Sequence, residues 1–273
     1  MSPQNPSAGS RPVDLALIDA FTYREWAAGD SVVLIPVGAF EQHGPHMPLG
    51  TDAMLSTAMA RGAANKINHA AGRLVAGVAQ TFTYGYKSQQ KSGGGNHLPG
   101  TISLDADALI AISRTVARGF LEQGVSHVVF VNGHYENYQF LYEGIDLALR
   151  DLGITEEGKQ SIMLLSYWDY VTEETLQTVY PDGFPGWDIE HGGVLETSLM
   201  LHLHPEHVDM DAAVSHDPAV LPRFDRLPVV ASRTPDTGCL SAPDGSTVEK
   251  GELLYEQTTD LLASDIASEL GLS

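Results

Sequence analysis

Two short stretches of this sequence place imidazole and carboxylate side chains two residues apart, directly after an apolar run. Glu41 and His43 follow "SVVLIPVGA", and His134 and Glu136 follow "SHVVFVN". Residues i and i+2 of an extended segment point to the same side, so each pair can present both groups to one ligand. Asp52 can join the first pair across the turn "GPHMPLG".

Such a set of two imidazoles and three carboxylates suits a centre that binds divalent metal ions. Mixed nitrogen and oxygen ligands, with a carboxylate to spare for bridging, are typical of Zn²⁺ or Mn²⁺ pairs, whereas Ca²⁺ prefers oxygen alone. A single pair of this kind is also typical of a hydrogen-bonded loop. The metal interpretation therefore depends on the two stretches meeting in the fold.

The order of the elements indicates how the two stretches could meet. Apolar runs at 31–39, 73–82, 126–132 and 160–168 are typical of buried strands, and they are separated by segments with helical periodicity at 53–70, 106–124 and 137–152. This order predicts an α/β fold, a single-domain layered structure with a mostly parallel sheet flanked by helices. Ligands of such sheets collect at the carboxyl ends of the strands, where both stretches lie.

The remaining segments define the predicted boundaries of the domain. A helix is expected over 15–29, a late helix over 192–204 and a final helix over 249–270, with a meandering surface segment from 205 to 248. The polar stretch over residues 1–12 is expected to be a disordered arm. We therefore predict one domain over residues 13–273.

Charge and composition exclude several classes of partner. Lysine and arginine number 15 against 35 aspartate and glutamate residues, so the net charge of −20 repels nucleic acid and anionic membranes. No apolar run approaches the roughly 20 residues of a membrane span. The one cysteine, Cys239, excludes a disulfide within the chain. These features predict a cytoplasmic protein.

Four further side chains lie at or after the end of the fourth predicted strand. Trp168 ends the run "SIMLLSYW", where core packing is its most common role, whereas Trp187 lies in the Gly- and Pro-containing loop "DGFPGWDIEHGG" and suits contact with a flat ligand. His191 can carry protons. Glu196 suits three roles: a metal ligand, a support behind the ligands, or a carboxylate at the N terminus of a helix.

The segments "EQHGPHMPLGTD", "NGHYEN" and "DIEHGGVLETSLML" resemble the signature segments of the creatininase family of metal-dependent amidohydrolases. The family at large carries N-G-H-G-G-N where this chain has "NGHYEN", and the Tyr-Glu version is similar to the members that open the creatinine ring. The resemblance covers about residues 30 to 205. It implies a creatininase-like α/β domain, a small cyclic substrate and a homohexamer.

The same resemblance implies two divalent metal ions per subunit, Zn²⁺ and/or Mn²⁺. One ion is expected on Glu41, Asp52 and His134. The other is expected on His43, Asp52 and Glu136, so that Asp52 bridges the two. The implied substrate contacts are Ser92, Tyr135, Trp168, Trp187, Asp188 and His191.

The implied reaction is reversible hydrolysis of creatinine to creatine by a hydroxide that bridges the metals. His191 and Glu136 are the implied catalytic residues, with His191 passing a proton to the departing ring nitrogen, and Glu196 is expected to support the ligands from behind. The alternative within the family is another small polar ring: a hydantoin-like imide, a formamidopyrimidine or a diketo-inositol. The alternative outside the hydrolases is a non-catalytic metal-binding assembly.

Overall fold

A four-stranded parallel sheet lies at the centre of the computed structural model, which describes residues 13–272. Its strands are β1 (Val32–Val37), β2 (Ala76–Val78), β3 (His127–Asn132) and β4 (Ser161–Ser166), in the order β2-β1-β3-β4. Val37 pairs with Asn132 and Asn132 pairs with Ser166, so β1, β3 and β4 end level with one another. The predicted mostly parallel sheet is thus confirmed.

Helices cover both faces of the sheet, which explains why its central strands are apolar throughout. The helices are α1 Ala20–Ala27, α2 Thr51–Ala71, α3 Ala106–Glu122, α4 Tyr138–Leu152, α5 Glu173–Val179, α6 Val194–Leu203 and α7 Val248–Glu269. Val32 and Leu34 of β1 pack into one core cluster, with α2, α6 and α7, while Val33 and Ile35 pack into the other, with α1, α3 and α4.

Two glycines let the first turn of α2 lie directly against the carboxyl edge of the sheet. A Cβ on Gly38, just after β1, would lie 2.6 Å from the carbonyl carbon of Asp52, and a Cβ on Gly133, just after β3, would lie 2.8 Å from the Asp52 carbonyl oxygen. Both distances are too short for a real side chain. The absence of these side chains therefore brings Asp52 to the ends of β1 and β3.

The close approach at Gly38 predicts a large effect of a small substitution. Gly38→Ala is expected to destabilise the protein by about 1–3 kcal/mol, because the added methyl group forces α2 away from the sheet. The measurement is urea unfolding. Gly119→Ala is the matched control: its Cβ in α3 meets nothing within 4 Å, so it is expected to stabilise by about 0.5–1 kcal/mol. Equal stability of the two variants would contradict the packing argument.

Several predicted boundaries differ from the structure. The strand expected over 73–82 is regular only over Ala76–Val78, with an isolated bridge from Phe82 to Val37, and α5, over Glu173–Val179, was not predicted. β4 ends at Ser166, so Trp168 lies in the 3₁₀ turn that follows rather than in the strand. The arm expected over residues 1–12 lies outside the described residues.

The expectation of a surface segment over residues 205–248 was wrong for its last third. Residues 214–228 are mostly exposed, but Thr234 and Cys239 are buried. Main-chain contacts to the rest of the molecule explain the burial: the Leu240 amide donates to the His191 carbonyl at 2.9 Å. This segment therefore forms part of the wall around the candidate site.

No helix among residues 13–272 is long and apolar enough to cross a membrane.

Candidate metal centre

Glu41, Asp52 and His134 meet at the carboxyl edge of the sheet, as the order of the strands predicts. Glu41 follows β1, Asp52 lies in the first turn of α2, and His134 follows β3. His134 Nδ1 lies 3.3 Å from Glu41 Oε2 and 3.0 Å from Asp52 Oδ2, and all three side chains are buried. The three ligand atoms are near enough to one another to hold a single metal ion.

A second group forms beside the first from His43, His191 and Glu196. The His43 Nε2 atom lies 2.8 Å from Asp52 Oδ1 and 3.7 Å from Glu196 Oε1. The other Glu196 oxygen accepts from the Gly192 amide at 2.7 Å, which fixes the carboxylate at the start of α6. Asp52 therefore lies between the two groups.

Main-chain carbonyls fix the tautomers of the two buried histidines. His43 Nδ1 donates to the Glu41 carbonyl at 3.0 Å, and His134 Nε2 donates to the Tyr86 carbonyl at 2.8 Å. A carbonyl can only accept, so the proton of each neutral ring lies on that nitrogen. His43 Nε2 and His134 Nδ1 are left with lone pairs, and these are the atoms that face Asp52.

Glu136 occupies a different position from the one expected. Its Oε2 atom lies 3.2 Å from His134 Nε2, on the side of the ring that faces away from Asp52, and its Oε1 atom accepts from the Ser92 hydroxyl. It is Glu196, and not Glu136, that shares a ligand group with His43. Glu196, expected to support the ligands from behind, thus lies in a candidate ligand group.

The buried carboxylates favour positive charge at the imidazoles. Burial alone would lower the pKa of His134, but Glu136, Glu41 and Asp52 raise it to about 10. Burial likewise opposes protonation of His43, yet Asp52 and Glu196 raise its pKa well above the ordinary value. Burial also raises the pKa of the Asp52 carboxyl, but the two imidazoles outweigh that effect and hold it below its usual range.

These features fit divalent metal ions. Asp52 lies close to both histidines, yet neither contact has hydrogen-bond geometry, and His43 Nε2 and Asp52 Oδ2 are buried without a hydrogen-bond partner. A buried polar atom without a partner is costly, and a cation satisfies both atoms. Two groups of mixed nitrogen and oxygen ligands agree with Zn²⁺ or Mn²⁺.

Aromatic side chains line the cleft above the two groups. Tyr135 and Trp168 stack with their ring centroids 6.5 Å apart, and Trp187 packs edge-on against Phe184 at 4.7 Å. Asp188 follows Trp187 on the same wall. The structure thus brings every residue predicted for substrate contact to one cleft, which is lined by Ser92, Tyr135, Trp168, Trp187, Asp188 and His191.

Other residues of the cleft escaped the sequence analysis. Gln42 contacts His191, and Thr234 donates to the Gly93 carbonyl at 2.5 Å, which ties the segment after residue 228 to the loop that carries Ser92. Gln42 was identifiable from its place between two ligand candidates. Thr234 was not, because its segment has loop composition and no periodicity.

Cys239 belongs to the segment after residue 228, and its side chain is buried. Its thiol packs against Gly44 and Gly192, it is 2% exposed, and burial raises its pKa to about 11. A thiol of that pKa is almost fully protonated at neutral pH. Cys239 is therefore poorly suited to act as a nucleophile.

Buried ligand sets rich in carboxylates, with further polar groups in an adjoining cleft, are typical of catalytic rather than structural metals, as in the metal-dependent hydrolases. Comparison with known proteins is more specific. The chain belongs to the creatininase family, because the family model described as creatinine amidohydrolase matches residues 18–266. It is therefore an enzyme, as the sequence predicts.

A creatinine amidohydrolase from Pseudomonas putida is 47% identical over 257 residues, which cover 92% of this chain and 96% of the relative. Two solved structures are similar at TM-score 0.89 and 45% identity over 95–96% of this chain and 99% of each matched chain: one is described as creatininase Mn, the other as a mutant creatininase of Zn-Zn type. A third, a mutant creatininase complexed with creatine, is 44% identical with TM-score 0.89 over 95% of this chain and 99% of that one.

More distant relatives carry other activities in their names. A mycofactocin precursor peptide peptidase from Mycolicibacterium smegmatis is 30% identical over 86% of this chain and 84% of its own length. A 3-dehydro-scyllo-inosose hydrolase from Thermotoga maritima is 28% identical over 68% of this chain and 55% of its own length. Membership of the family therefore does not define the substrate.

Proposed function

We propose that this enzyme hydrolyses the lactam ring of creatinine to give creatine. The observation that carries the proposal is the pair of candidate ligand groups at the base of an aromatic cleft, with Asp52 of one group 2.8 Å from His43 of the other. The 47% identity to a creatinine amidohydrolase and the likeness to a creatininase complexed with creatine support creatinine as the substrate.

Two divalent ions, Zn²⁺ and/or Mn²⁺, are proposed to occupy the two groups. Glu41, Asp52 and His134 would hold one ion, and His43, Asp52 and Glu196 the other. The distances around His43 support Glu196 in the place first expected for Glu136. When bound, such ions would supply hydroxide at neutral pH, by lowering the pKa of a bound water from about 15.7 towards about 7, and would polarise the lactam carbonyl.

Glu136 and His191 are proposed to move the protons of the reaction. Hydrolysis adds a hydroxyl group to the carbonyl carbon, breaks the ring carbon–nitrogen bond, and leaves a proton to be placed on the departing nitrogen. Glu136 lines the same cleft, and the Ser92 hydroxyl donates a hydrogen bond to its carboxylate. His191 offers Nδ1, because its Nε2 contacts the Gln42 carbonyl at 2.8 Å. General acid–base groups of this kind contribute about 10²–10⁴ in rate.

Binding and orientation of the ring are assigned to the aromatic wall. Trp168 and Trp187 present flat apolar faces to a planar ring, while Asp188 and Tyr135 offer hydrogen-bonding groups at its edge. These contacts also exclude water from the reacting atoms. Since the reverse reaction passes through the same transition state, the same residues serve ring closure, and we propose that the reaction is reversible.

The assembly and location remain predictions. The resemblance to the creatininase family implies a homohexamer, and the composition implies a cytoplasmic protein that binds neither nucleic acid nor membrane. Light scattering of the purified protein measures the subunit number directly.

The test of the proposed function is an assay of creatine formation from creatinine. The purified protein is loaded with Mn²⁺ or Zn²⁺, a sample treated with chelator is the control, and hydantoin, a formamidopyrimidine, a diketo-inositol and a short peptide are tested beside creatinine. We expect chelator-sensitive turnover of creatinine above that of every other compound. Turnover of another ring or of the peptide, with none of creatinine, would contradict creatinine as the substrate but would leave the proposed metal centre standing.

The ligand assignment predicts a difference between Glu196 and His191. Glu196→Ala is expected to lose one of two metal ions per subunit, because its Oε1 atom lies 3.7 Å from His43 Nε2, the ring nitrogen that faces Asp52. His191→Ala is expected to keep both ions and to lose turnover instead. Elemental analysis after gel filtration measures the metal content. Two ions in Glu196→Ala would return Glu196 to a supporting role, and one ion in His191→Ala would make His191 a ligand.

A further inference from the structure

The side chain of Ser88 contacts one of the proposed metal ligands. Its hydroxyl oxygen lies 2.5 Å from Glu41 Oε1, and the two residues are only 6% and 4% exposed. A carboxylate that binds a metal ion carries no proton and can only accept, so the Ser88 hydroxyl donates this hydrogen bond. The contact depends on the side chain at position 88, and an alanine there could not make it.

This hydrogen bond gives the two oxygens of the Glu41 carboxylate different partners. Oε1 faces Ser88, whereas Oε2 lies 3.3 Å from His134 Nδ1, which is itself 3.0 Å from Asp52 Oδ2. Oε2 is therefore the oxygen that faces the rest of its ligand group. The last torsion of a glutamate side chain has only a broad preference of its own, so a partner for Oε1 is what fixes the direction of Oε2.

Asn96 fixes the main chain of Ser88 in turn. Its side-chain oxygen accepts from the Ser88 amide at 3.1 Å, and its side-chain nitrogen donates to the Ser88 carbonyl at 2.5 Å. Between the two residues, Gly93 and Gly94 have φ angles of +109° and +68°, which glycine adopts at little cost and which turn the chain back. The loop from Ser88 to Asn96 is thus closed by Asn96, and it holds the Ser88 hydroxyl against Glu41.

We propose that Ser88 is a positioning residue for the metal ion on Glu41, Asp52 and His134: its hydroxyl directs Glu41 Oε2 towards that ion. The inference rests on the proposed function, in which Glu41 is a metal ligand. Ligating carboxylates are commonly held by hydrogen bonds of this kind, and the loss of such a partner typically costs about 10–100-fold in metal affinity. Because Glu41 belongs to one ligand group only, the two ions are expected to respond differently.

The same loop carries a second serine that serves as the matched control. The Ser92 hydroxyl donates to Glu136 Oε1, and Glu136 is proposed to transfer protons rather than to bind a metal ion. Both serines therefore donate to a buried carboxylate from one loop, but only the partner of Ser88 belongs to a ligand group. Ser88→Ala and Ser92→Ala remove the same atom and are expected to differ in their effect on metal affinity.

The test is equilibrium dialysis against buffered Mn²⁺, with the bound metal measured by elemental analysis. Ser88→Ala is expected to weaken the binding of one of the two ions about 10–100-fold and of the other less than about threefold. Ser92→Ala is expected to leave the affinity for both ions within about threefold of the wild-type value.

Two further variants identify which ion depends on Ser88. Glu196→Ala is expected to bind only the ion on Glu41, and the addition of Ser88→Ala is expected to weaken that ion about 10–100-fold. Glu41→Ala is expected to bind only the other ion, and the addition of Ser88→Ala is expected to change its affinity less than about threefold, because the partner of the hydroxyl is already absent.

The metal dependence of activity separates positioning of Glu41 from contact with the substrate, since Ser88 also lines the cleft. For Ser88→Ala, the Mn²⁺ concentration that gives half-maximal turnover of creatinine is expected to rise by the same factor as the dissociation constant. Turnover is expected to recover as Mn²⁺ approaches saturation. A raised KM for creatinine at saturating Mn²⁺, with unchanged metal affinity, would make Ser88 a substrate contact and overturn the proposal.

Asn96→Ala provides a second approach that leaves the Ser88 hydroxyl in the protein. It is expected to weaken the same ion by a smaller factor. Unchanged affinity in Ser88→Ala, or in Asn96→Ala should Ser88→Ala not fold, would overturn the proposal and leave the proposed function standing. Equal weakening of both ions, or weakening of the same ion by Ser92→Ala, would indicate general damage to the loop and overturn it too. A wild-type protein that binds no Mn²⁺ and no Zn²⁺ would overturn the metal centre and this proposal with it.

Discussion

Replacement of Asp52 by alanine is expected to remove both metal ions and to reduce creatinine turnover to background. Asp52 is 2% exposed and lies between the two ligand groups, 2.8 Å from His43 Nε2 and 3.0 Å from His134 Nδ1. Without Asp52, each proposed metal ion keeps only two of its three proposed protein ligands. The removal of a ligand shared by both groups is therefore expected to affect both ions, whereas the loss of Glu196 affects one.

The measurement is metal content by elemental analysis together with kcat. Asp107→Ala is the matched control, because Asp107 also lies in the first turn of a helix, α3, but is exposed and far along the chain from the ligands. Asp107→Ala is expected to retain two ions and full turnover. Retention of both ions by Asp52→Ala would disprove the shared role of Asp52.

Substitution of Glu136 by glutamine is expected to lower kcat by about 10²–10⁴ while both metal ions remain bound. The amide keeps the shape of the side chain and its contact with Ser92, but it cannot accept and release a proton. Burial, with a contribution from Glu41, raises the pKa of the Glu136 carboxyl despite the neighbouring His134. A carboxyl with a raised pKa is better matched to proton transfer near neutral pH than an ordinary one.

The expected split between binding and turnover makes this prediction specific. Since the metals remain, creatinine is expected to bind Glu136→Gln with an affinity within about threefold of its KM for the wild type, which isothermal titration can measure. Glu143→Gln, an exposed position on α4, is the control for the same chemical change. A kcat near the wild-type value in Glu136→Gln would remove Glu136 from the mechanism. Loss of one metal ion in Glu136→Gln would instead indicate that Glu136 is a metal ligand.

The sequence sufficed for the part of the site that depends on strand order. Residues that directly follow β1 and β3 must meet, because neighbouring parallel strands end at the same edge. Glu41 and His134 are such residues, and Asp52 follows them through the start of α2. These residues converge because strands and helices alternate along the chain. The hydrophobic periodicity of a single sequence is enough to predict that alternation.

The assignment of Glu136 depended on local geometry that periodicity does not contain. The i, i+2 argument holds only for an extended segment, whereas residues Tyr135–Asn137 form a 3₁₀ turn. The turn carries the Glu136 carboxylate to the opposite side of the His134 ring. Glu196 takes the place by His43 because α6 begins beside the sheet edge, which is a matter of tertiary packing.

The contact of residues 229–241 with the site could not be predicted from the sequence, for a different reason. A segment rich in Pro, Asp and Ser without periodicity is typical of an exposed loop. Here the main chain supplies the contacts: the Val230 amide donates to the Gln90 side chain at 2.6 Å and the Leu240 amide to the His191 carbonyl at 2.9 Å. Such contacts require no particular side chains in the segment, so they leave little trace in its composition.

The buried thiol of Cys239, within residues 229–241, can report when this segment moves away from the site. Because Cys239 is the only cysteine of the chain and is 2% exposed, a thiol reagent added to the native enzyme can react only when residues 229–241 lift from the site or the whole fold opens. The labelling rate therefore measures how often the wall separates from His191. Labelling rates of Cys239 measured with and without metal or creatine would show whether these ligands slow the motion of residues 229–241.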